Sequence, residues 1–442
     1  MRPLERILVS CGLTPDLSRF TDRAGRLICR ITVFAPERGR RERPSGRPDR
    51  TNESRGESRS IEPVLLLPDG AGDEQADQCD DRRRWRGLIA VCNRPPLINQ
   101  LQHLAIDQSR LKDPLLFGFD VIHGLHTIFP VPLGMAASWD PSLVEQAQGT
   151  AAAEARAVGI HWAFAPMLDI ARDPRWGRMV EGAGEDPYIG SAMAAAQVRG
   201  FQGAYLGSPG HFIAGPKHFV GYGAALGGRD YDEVNLSDSE LWNVYLPPFK
   251  AAVDASAVNI MSAYMAINGV PASANQWLLT KVLRDTWGFK GFVVSDSSAV
   301  LSLKTQGLAV DAQEAAVRAL KAGLDMEMTP PIATPAMKAI PAALQANKLS
   351  VAELDRAVRY VLAAKIRMGL FESPYVDEKC ATAIEEDPEH LKLAPVAGER
   401  AYFTLKPEDL RYWSAASGAW VGGDSSAEFV GHFEVEAGLH SP

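Results

Sequence analysis

The 442-residue chain predicts an α/β fold, a TIM-type (β/α)8-like barrel with a disordered arginine-rich leader and a short β-rich tail. Three observations carry this reading. Apolar, β-rich runs alternate with helical patterns from Gly87 onward, the signature of βα units building a parallel sheet. No Gly-x-Gly-x-x-Gly turn follows the first run, as a doubly wound nucleotide-binding sheet would require. Polar residues of the types that do chemistry also fall, one after another, just past the carboxyl ends of the runs, where barrel enzymes carry their sites.

The predicted strands are 87–92, 115–119, 161–165, 215–220, 258–264, 291–294 and 324–328. The helices between them have readable starts. Asp140-Pro141 and Asp186-Pro187 each set an N-cap before a proline at the first helical position. Ser237 with Glu240, Asp311 with Glu314, and Ser350 with Glu353 have capping-box spacing. The closing helix is expected over 351–368, with Leu354, Val358, Val361, Leu362 and Ile366 on one apolar stripe and Gly369 as its stop.

Around this unit the texture differs. Residues 1–85 read as a largely disordered leader, because 36–60 is a tract of Arg, Ser, Gly, Pro and Glu with almost nothing apolar to bury. The barrel is expected over 86–372 and a linker helix over 373–401. Residues 402–442 alternate enough to suggest short strands, including Tyr412-Trp413 and Ala419-Trp420-Val421, but cannot make a free-standing sandwich.

Composition excludes several classes of function. With 46 Lys+Arg against 54 Asp+Glu the chain has no basic excess for nucleic acid. Five scattered cysteines have no spacing that suits a metal site or a disulfide framework, so thiols in a reducing compartment are expected, and no metal or cofactor. The amino terminus lacks the apolar core of a secretory signal, and no run reaches the roughly 18 apolar residues of a membrane span. The default location is therefore cytoplasmic, with periplasmic or secreted left open for an atypical amino terminus.

The rim residues are Asp120 and His123 after the second run, Asp169 through Arg178 after the third, Lys217-His218 within the fourth, Tyr264 after the fifth and Asp296 after the sixth. Acids that grip hydroxyl pairs or attack a carbon, beside cationic donors and aromatic edges, suit a sugar. A phosphate site would want a glycine-rich loop backed by Lys-Ser/Thr, which Gly221-Tyr-Gly-Ala-Ala-Leu-Gly-Gly228 lacks.

Four long motifs then resemble the amino-terminal barrel of glycoside hydrolase family 3, in its bacterial β-glucosidase branch. They are Leu116-Phe-Gly-Phe-Asp120-Val-Ile-His-Gly, Ala165-Pro-Met-Leu-Asp-Ile-Ala-Arg-Asp-Pro-Arg-Trp-Gly-Arg178 with Glu181-Gly-Ala-Gly-Glu-Asp186, Lys217-His-Phe-Val-Gly-Tyr-Gly, and Gly291-Phe-Val-Val-Ser-Asp296. The resemblance covers about residues 86–400 and implies a retaining β-glucosidase-type hydrolase acting on terminal β-linked glucosides, with Asp296 as nucleophile. It also implies that Asp120, Arg178, Lys217, His218 and Tyr264, helped by Arg229, bind the sugar.

The chain departs from that family in places. Its β-glucosidases take the acid/base glutamate from a second domain, whose place here is expected to be lost by a splice near Ala401, with 402–442 resembling a remnant of the fibronectin type III-like domain that ends such proteins, so no acid/base residue is assigned. The single-domain hexosaminidase branch uses an Asp-His loop instead, and the loop 221–232 has no histidine. His126 stands where the branch usually has arginine, and Ser297-Ser298 replace a bulky residue plus glycine. The rival expectation is a catalytically impaired sugar-binding barrel.

Overall fold

The computed structural model describes residues 95–330, 333–385, 387–397, 412–414 and 419–421. The expected leader, the run 87–92 and most of the tail lie outside these residues. The remaining six predicted strands all take part in parallel pairing, in chain order. β1 (Gly118–Phe119) pairs with β2 (Trp162–Ala163), and Trp162 bridges on to Ile213. The segment 213–219 in turn reaches β3 (Asn259–Ser262) through Phe219 and Ser262. β3 pairs in full register with β6 (Phe292–Ser295), and Val294 bridges to Met326. Between β3 and β6 lies a two-residue hairpin ladder, β4 (Ala266–Ile267) against β5 (Val270–Pro271).

The ladders are shorter than the apolar runs suggest. In 215–220 the reason is local: Pro216 has no N–H to give to a neighbour, so this segment makes single bridges where a strand was expected. Elsewhere polar side chains supplement the ladder. Trp162 Nε1 donates to Asn259 Oδ1 at 3.1 Å and Asn259 Nδ2 donates to the Phe292 carbonyl at 3.0 Å, tying β2, β3 and β6 through a fully buried interior.

Helices α1 (Pro95–His103), α2 (Pro132–Ala136), α3 (Pro141–Ala157), α4 (Pro187–Gln202), α5 (Pro247–Asp254), α6 (Ala312–Ala322) and α7 (Val351–Arg367) surround the sheet. The expected starts are present. Asp140 accepts from the backbone of Ser142 and Leu143, Asp186 from Tyr188 and Ile189, and Asp311 from Glu314. Ser237 and Ser350 form complete capping boxes with Glu240 and Glu353. α3, α4 and α5 pack side by side, and small residues on them such as Ala151, Ala152, Ala194 and Ala196 are fully buried.

The face of α7 is rotated from the expected stripe. Val361 and Leu362 are buried as expected, yet so are Ala357, Ala364 and Lys365, while Leu354, Val358 and Ile366 are half-buried. Lys365 goes inside because Asp113 Oδ2 at 2.7 Å and the Pro114 carbonyl at 2.8 Å receive its ammonium. A buried charge survives only with such partners, and this one brings the last helix of the run back to the entry of β1.

Two further helices, α8 (Glu378–Glu385) and α9 (Pro388–Ala397), lie within the stretch expected to hold one linker helix. In the tail, β7 (Tyr412–Ser414) pairs antiparallel with β8 (Ala419–Val421). Among the described residues no helix is long and apolar enough to cross a membrane.

Candidate active site

β6 is four buried residues, Phe-Val-Val-Ser, preceded by Gly291, where any Cβ would lie 2.0 Å from the Val258 carbonyl. That close approach seats the strand deep in the sheet and leaves Asp296 just past its carboxyl end, 8% exposed. Ser297 N–H donates to Asp296 Oδ1 at 2.7 Å, Tyr264 donates its hydroxyl to the same carboxylate, and His218 Nε2 lies 3.3 Å from Oδ2. Burial pushes the Asp296 carboxyl up to about 6, against the opposing pull of Lys217, the Ser297 amide, the Tyr264 hydroxyl and Arg178.

Lys217 and His218 come from the segment between β2 and β3. Lys217 is 5% exposed and directs its ammonium at Asp120 Oδ1, 3.0 Å away, at the end of β1. His218 is enclosed between two carboxylates. Its backbone N–H and its Nδ1 both meet Asp169 Oδ2, at 3.0 and 2.8 Å, while Nε2 faces Asp296 and also Arg178 Nη2 at 3.3 Å. Burial, reinforced by the positive charges of Arg178 and Lys217, holds the imidazole well below its usual range, so it is neutral.

Arg178 sits on the loop after β2 and is clamped by Glu181 through two parallel bonds of 2.7 and 2.9 Å. Burial works against its charge, but the Glu181 pair outweighs it and the guanidinium stays protonated. It lies over the rings of Trp176 and Tyr222, at 5.9 and 5.5 Å. Tyr222, Tyr231 and Tyr264 continue this aromatic wall, with centroids 5.1 to 6.2 Å apart. Trp176 is fixed by its indole N–H on Asp230 at 3.0 Å.

Six of the seven residues expected from the sequence therefore converge on one site: Asp296, His218, Arg178 and Tyr264 in contact, with Lys217 holding Asp120 beside them. Arg229 does not join them. Its side chain is 76% exposed and paired with Asp232, because the loop 226–229 turns outward through Gly227 and Gly228, both at positive φ. Two residues of this site receive no role from the sequence, Asp169 standing there only as a rim position and Glu181 only within a motif. Asp169 is fully buried and accepts from His218 twice and from the Tyr222 amide, and burial pushes it up to about 7. Glu181 orients Arg178. Their only local signal is that both stand in the motif loops after β2.

The arrangement can hold a polar ring between aromatic edges and bring a buried carboxylate to one of its carbons. Each other described carboxylate of the site is already engaged: Asp120 by Lys217, Glu181 by Arg178, Asp230 by Trp176. Asp169, despite its high proton affinity, is enclosed behind His218, out of reach of a leaving group. Among the described residues no group of three or more His, Cys, Asp or Glu side chains could hold a metal ion.

Residues 94–364 match the family model of the glycosyl hydrolase family 3 N terminal domain. Over 278 residues the chain is 44% identical to a periplasmic beta-glucosidase of Salmonella typhimurium, covering 63% of this chain and 36% of that protein. A putative beta-xylosidase of Formosa agariphila is 40% identical over 287 residues, 63% of this chain and 38% of the relative. Among solved structures, a beta-glucosidase of Listeria innocua in complex with isofagomine superposes with a TM-score of 0.67 at 38% identity, over 70% of this chain and 43% of that one. The chain thus spans between a third and a half of the length of these relatives.

Proposed function

The chain belongs to glycosyl hydrolase family 3, and from that premise we propose that it is a retaining hydrolase of the β-glucosidase type, removing terminal β-D-glucosyl residues through Asp296. In this reading the curved parallel sheet is the (β/α)8-like barrel of the family and Asp296 is the nucleophile at its rim. The observation that carries it is the buried carboxylate of Asp296, ringed by Lys217, Arg178, Tyr264 and a neutral His218.

A retaining glycosidase attacks the anomeric carbon with an ionised carboxylate, forms a covalent glycosyl-enzyme and lets water release the sugar. Lys217 and Arg178 favour the ionised form of Asp296, and the Tyr264 hydroxyl orients it. Asp120 and Lys217 form a charged pair suited to vicinal hydroxyls, and the accessible rings of Tyr231 and Tyr264, backed by the buried Trp176 and Tyr222, suit the apolar face of the ring. The leaving oxygen needs a proton from a second carboxyl group roughly 5–5.5 Å away. No described residue is assigned that role.

The test is a 2-deoxy-2-fluoro-β-glucoside bearing a good leaving group, followed by peptide mass mapping. Covalent label on the peptide containing Asp296, absent from Asp296→Asn, is the expected result. Saturable sugar binding with no label would favour a sugar-binding barrel without turnover. The same trap built on xylose tests the sugar class, since both β-glucosidases and β-xylosidases are among the relatives.

A further inference from the structure

The contacts of His218 fix more than its position. A neutral imidazole carries one N–H and one lone pair, and which nitrogen holds the proton is set by the partners of the other. On one side Asp169 Oδ2 lies 2.8 Å from Nδ1, and this oxygen already accepts the His218 backbone N–H, which marks it as the acceptor toward the ring. On the other side Arg178 Nη2 lies 3.3 Å from Nε2, and a guanidinium can only donate. At Nε2 the Arg178 donor and the Asp296 acceptor are equally near, so that end does not choose between the forms; the shorter Asp169 contact does, placing the proton on Nδ1 and the lone pair on Nε2. Asp169 is itself held for this task. Its Oδ2 also takes the His218 backbone N–H at 3.0 Å, and Oδ1 takes the Tyr222 N–H at 3.2 Å.

We propose that Asp169 is the positioning residue that fixes the tautomer of His218, so that the ring presents an unprotonated Nε2 to Asp296. The consequence lies in the 3.3 Å contact between Nε2 and Asp296 Oδ2. An Nε2–H would donate into that oxygen, stabilise its charge and dull it as a nucleophile. It would also point at an Arg178 N–H, donor against donor. With the lone pair there instead, His218 walls off Asp296 without hydrogen-bonding it. The carboxylate then takes its bonds from Ser297 and Tyr264, and its positive field from Lys217 and Arg178. Tyr222 packs edge-on against the ring at 5.2 Å. Asp169 touches neither substrate nor reacting atoms and acts only through the imidazole, as an orienting carboxylate does behind a catalytic or metal-bound histidine.

The effect on rate rests on Asp296 being the nucleophile, whereas the tautomer does not. The experiment separates the two. The full chain is labelled with ¹⁵N-histidine and the ring nitrogens are read by NMR near neutral pH, with His218→Asn identifying the signals. The parent protein is expected to show a bonded proton on Nδ1 and a bare Nε2. Asp169→Asn removes the anionic acceptor, and the proton is expected to move to Nε2, now drawn by Asp296. In activity, the variant should lose ~10–100-fold in kcat/KM, the scale of losing an orienting carboxylate. The acid limb of its pH profile should also move to lower pH, since an added donor favours the Asp296 carboxylate. A residue that merely fills space would lower the rate and leave limb and tautomer in place.

Nε2–H or imidazolium in the parent protein overturns the proposal, as does a folded Asp169→Asn whose tautomer and acid limb are both unmoved. Should the variant not fold, the parent spectrum decides alone. A folded but inactive chain with the Nδ1–H form would sink the hydrolase reading and leave the tautomer proposal standing. An active chain with Nε2–H would do the reverse.

Discussion

Asp296 is the residue on which burial and charge are most finely opposed. Desolvation raises its carboxyl from 3.8 to about 6, and Lys217 is the largest of the groups that hold it from rising further. As nucleophile it acts only when ionised, and for a group titrating near 6 the ionised fraction falls as pH drops through that value. The acid limb of kcat/KM, which reports the free enzyme, is therefore expected near pH 6, with about a tenfold loss per unit below it. Lys217→Met removes a positive charge that favours the anion, so its limb should move to higher pH. A limb near pH 4 in the parent, or a downward move in the variant, would contradict this account of the site. Glu181 belongs to the same scale: it keeps Arg178 charged and aimed, and Arg178 in turn completes the partners of His218.

At the scale of elements, β6 is held from below as carefully as its end is arranged above. Asp325 accepts the Val293 N–H at 2.8 Å and Arg284 Nη2 at 2.5 Å, while Arg284 Nη1 reaches the Gly291 carbonyl at 3.2 Å. The guanidinium also lies 4.0 Å over the Tyr360 ring of α7. One buried ion pair thus fixes the start of the strand that delivers Asp296 and joins it to α7. Asp325→Ala leaves a buried guanidinium and a strand N–H without their acceptor, and is expected to cost about 3–5 kcal/mol in denaturant unfolding. A loss under about 1 kcal/mol would show that the pair does not hold the strand. On the opposite side, Glu154 of α3 accepts from the His126 and Thr127 amides, both at 2.9 Å, so a helix buried against the sheet shapes the loop after Asp120.

For the whole molecule, the question is how a site with one available carboxylate among its described residues handles the leaving group. If no described residue protonates it, the rate of glycosyl transfer to Asp296 depends on how well the aglycone leaves unaided. Nitrophenyl and dinitrophenyl β-glucosides should then react far faster than cellobiose, by orders of magnitude, under single-turnover conditions. Equal rates on the two would mean that an acid is present, either one of Asp120, Glu181, Asp230 and Asp169 or a residue outside the described ones. Much of the architecture behind this site was legible in the chain: six expected strands meet in parallel order and five helix starts carry the caps read from Asp140, Asp186, Ser237, Asp311 and Ser350. Lys365 was not legible, because lysine is ordinarily an exposed residue and its burial is made tolerable by Asp113 and the Pro114 carbonyl, 252 and 251 positions away.

The sequence by itself determined the order of strands and helices, the family and the residues that stand at strand ends. These depend on local periodicity, on caps within three or four positions and on motifs of contiguous residues, all of which a linear chain displays. Only the tertiary structure decided which of those residues meet and in what protonation state. Asp169 and His218 are 49 positions apart, and Asp120 and Lys217 are 97 apart, so no spacing rule could pair them. Arg229 turns out to solvent for the same reason, since the backbone course of its loop is set by what packs around it. The rise of Asp296 to about 6 and the neutrality of His218 follow from exclusion of water, which exists only once the elements have closed around them.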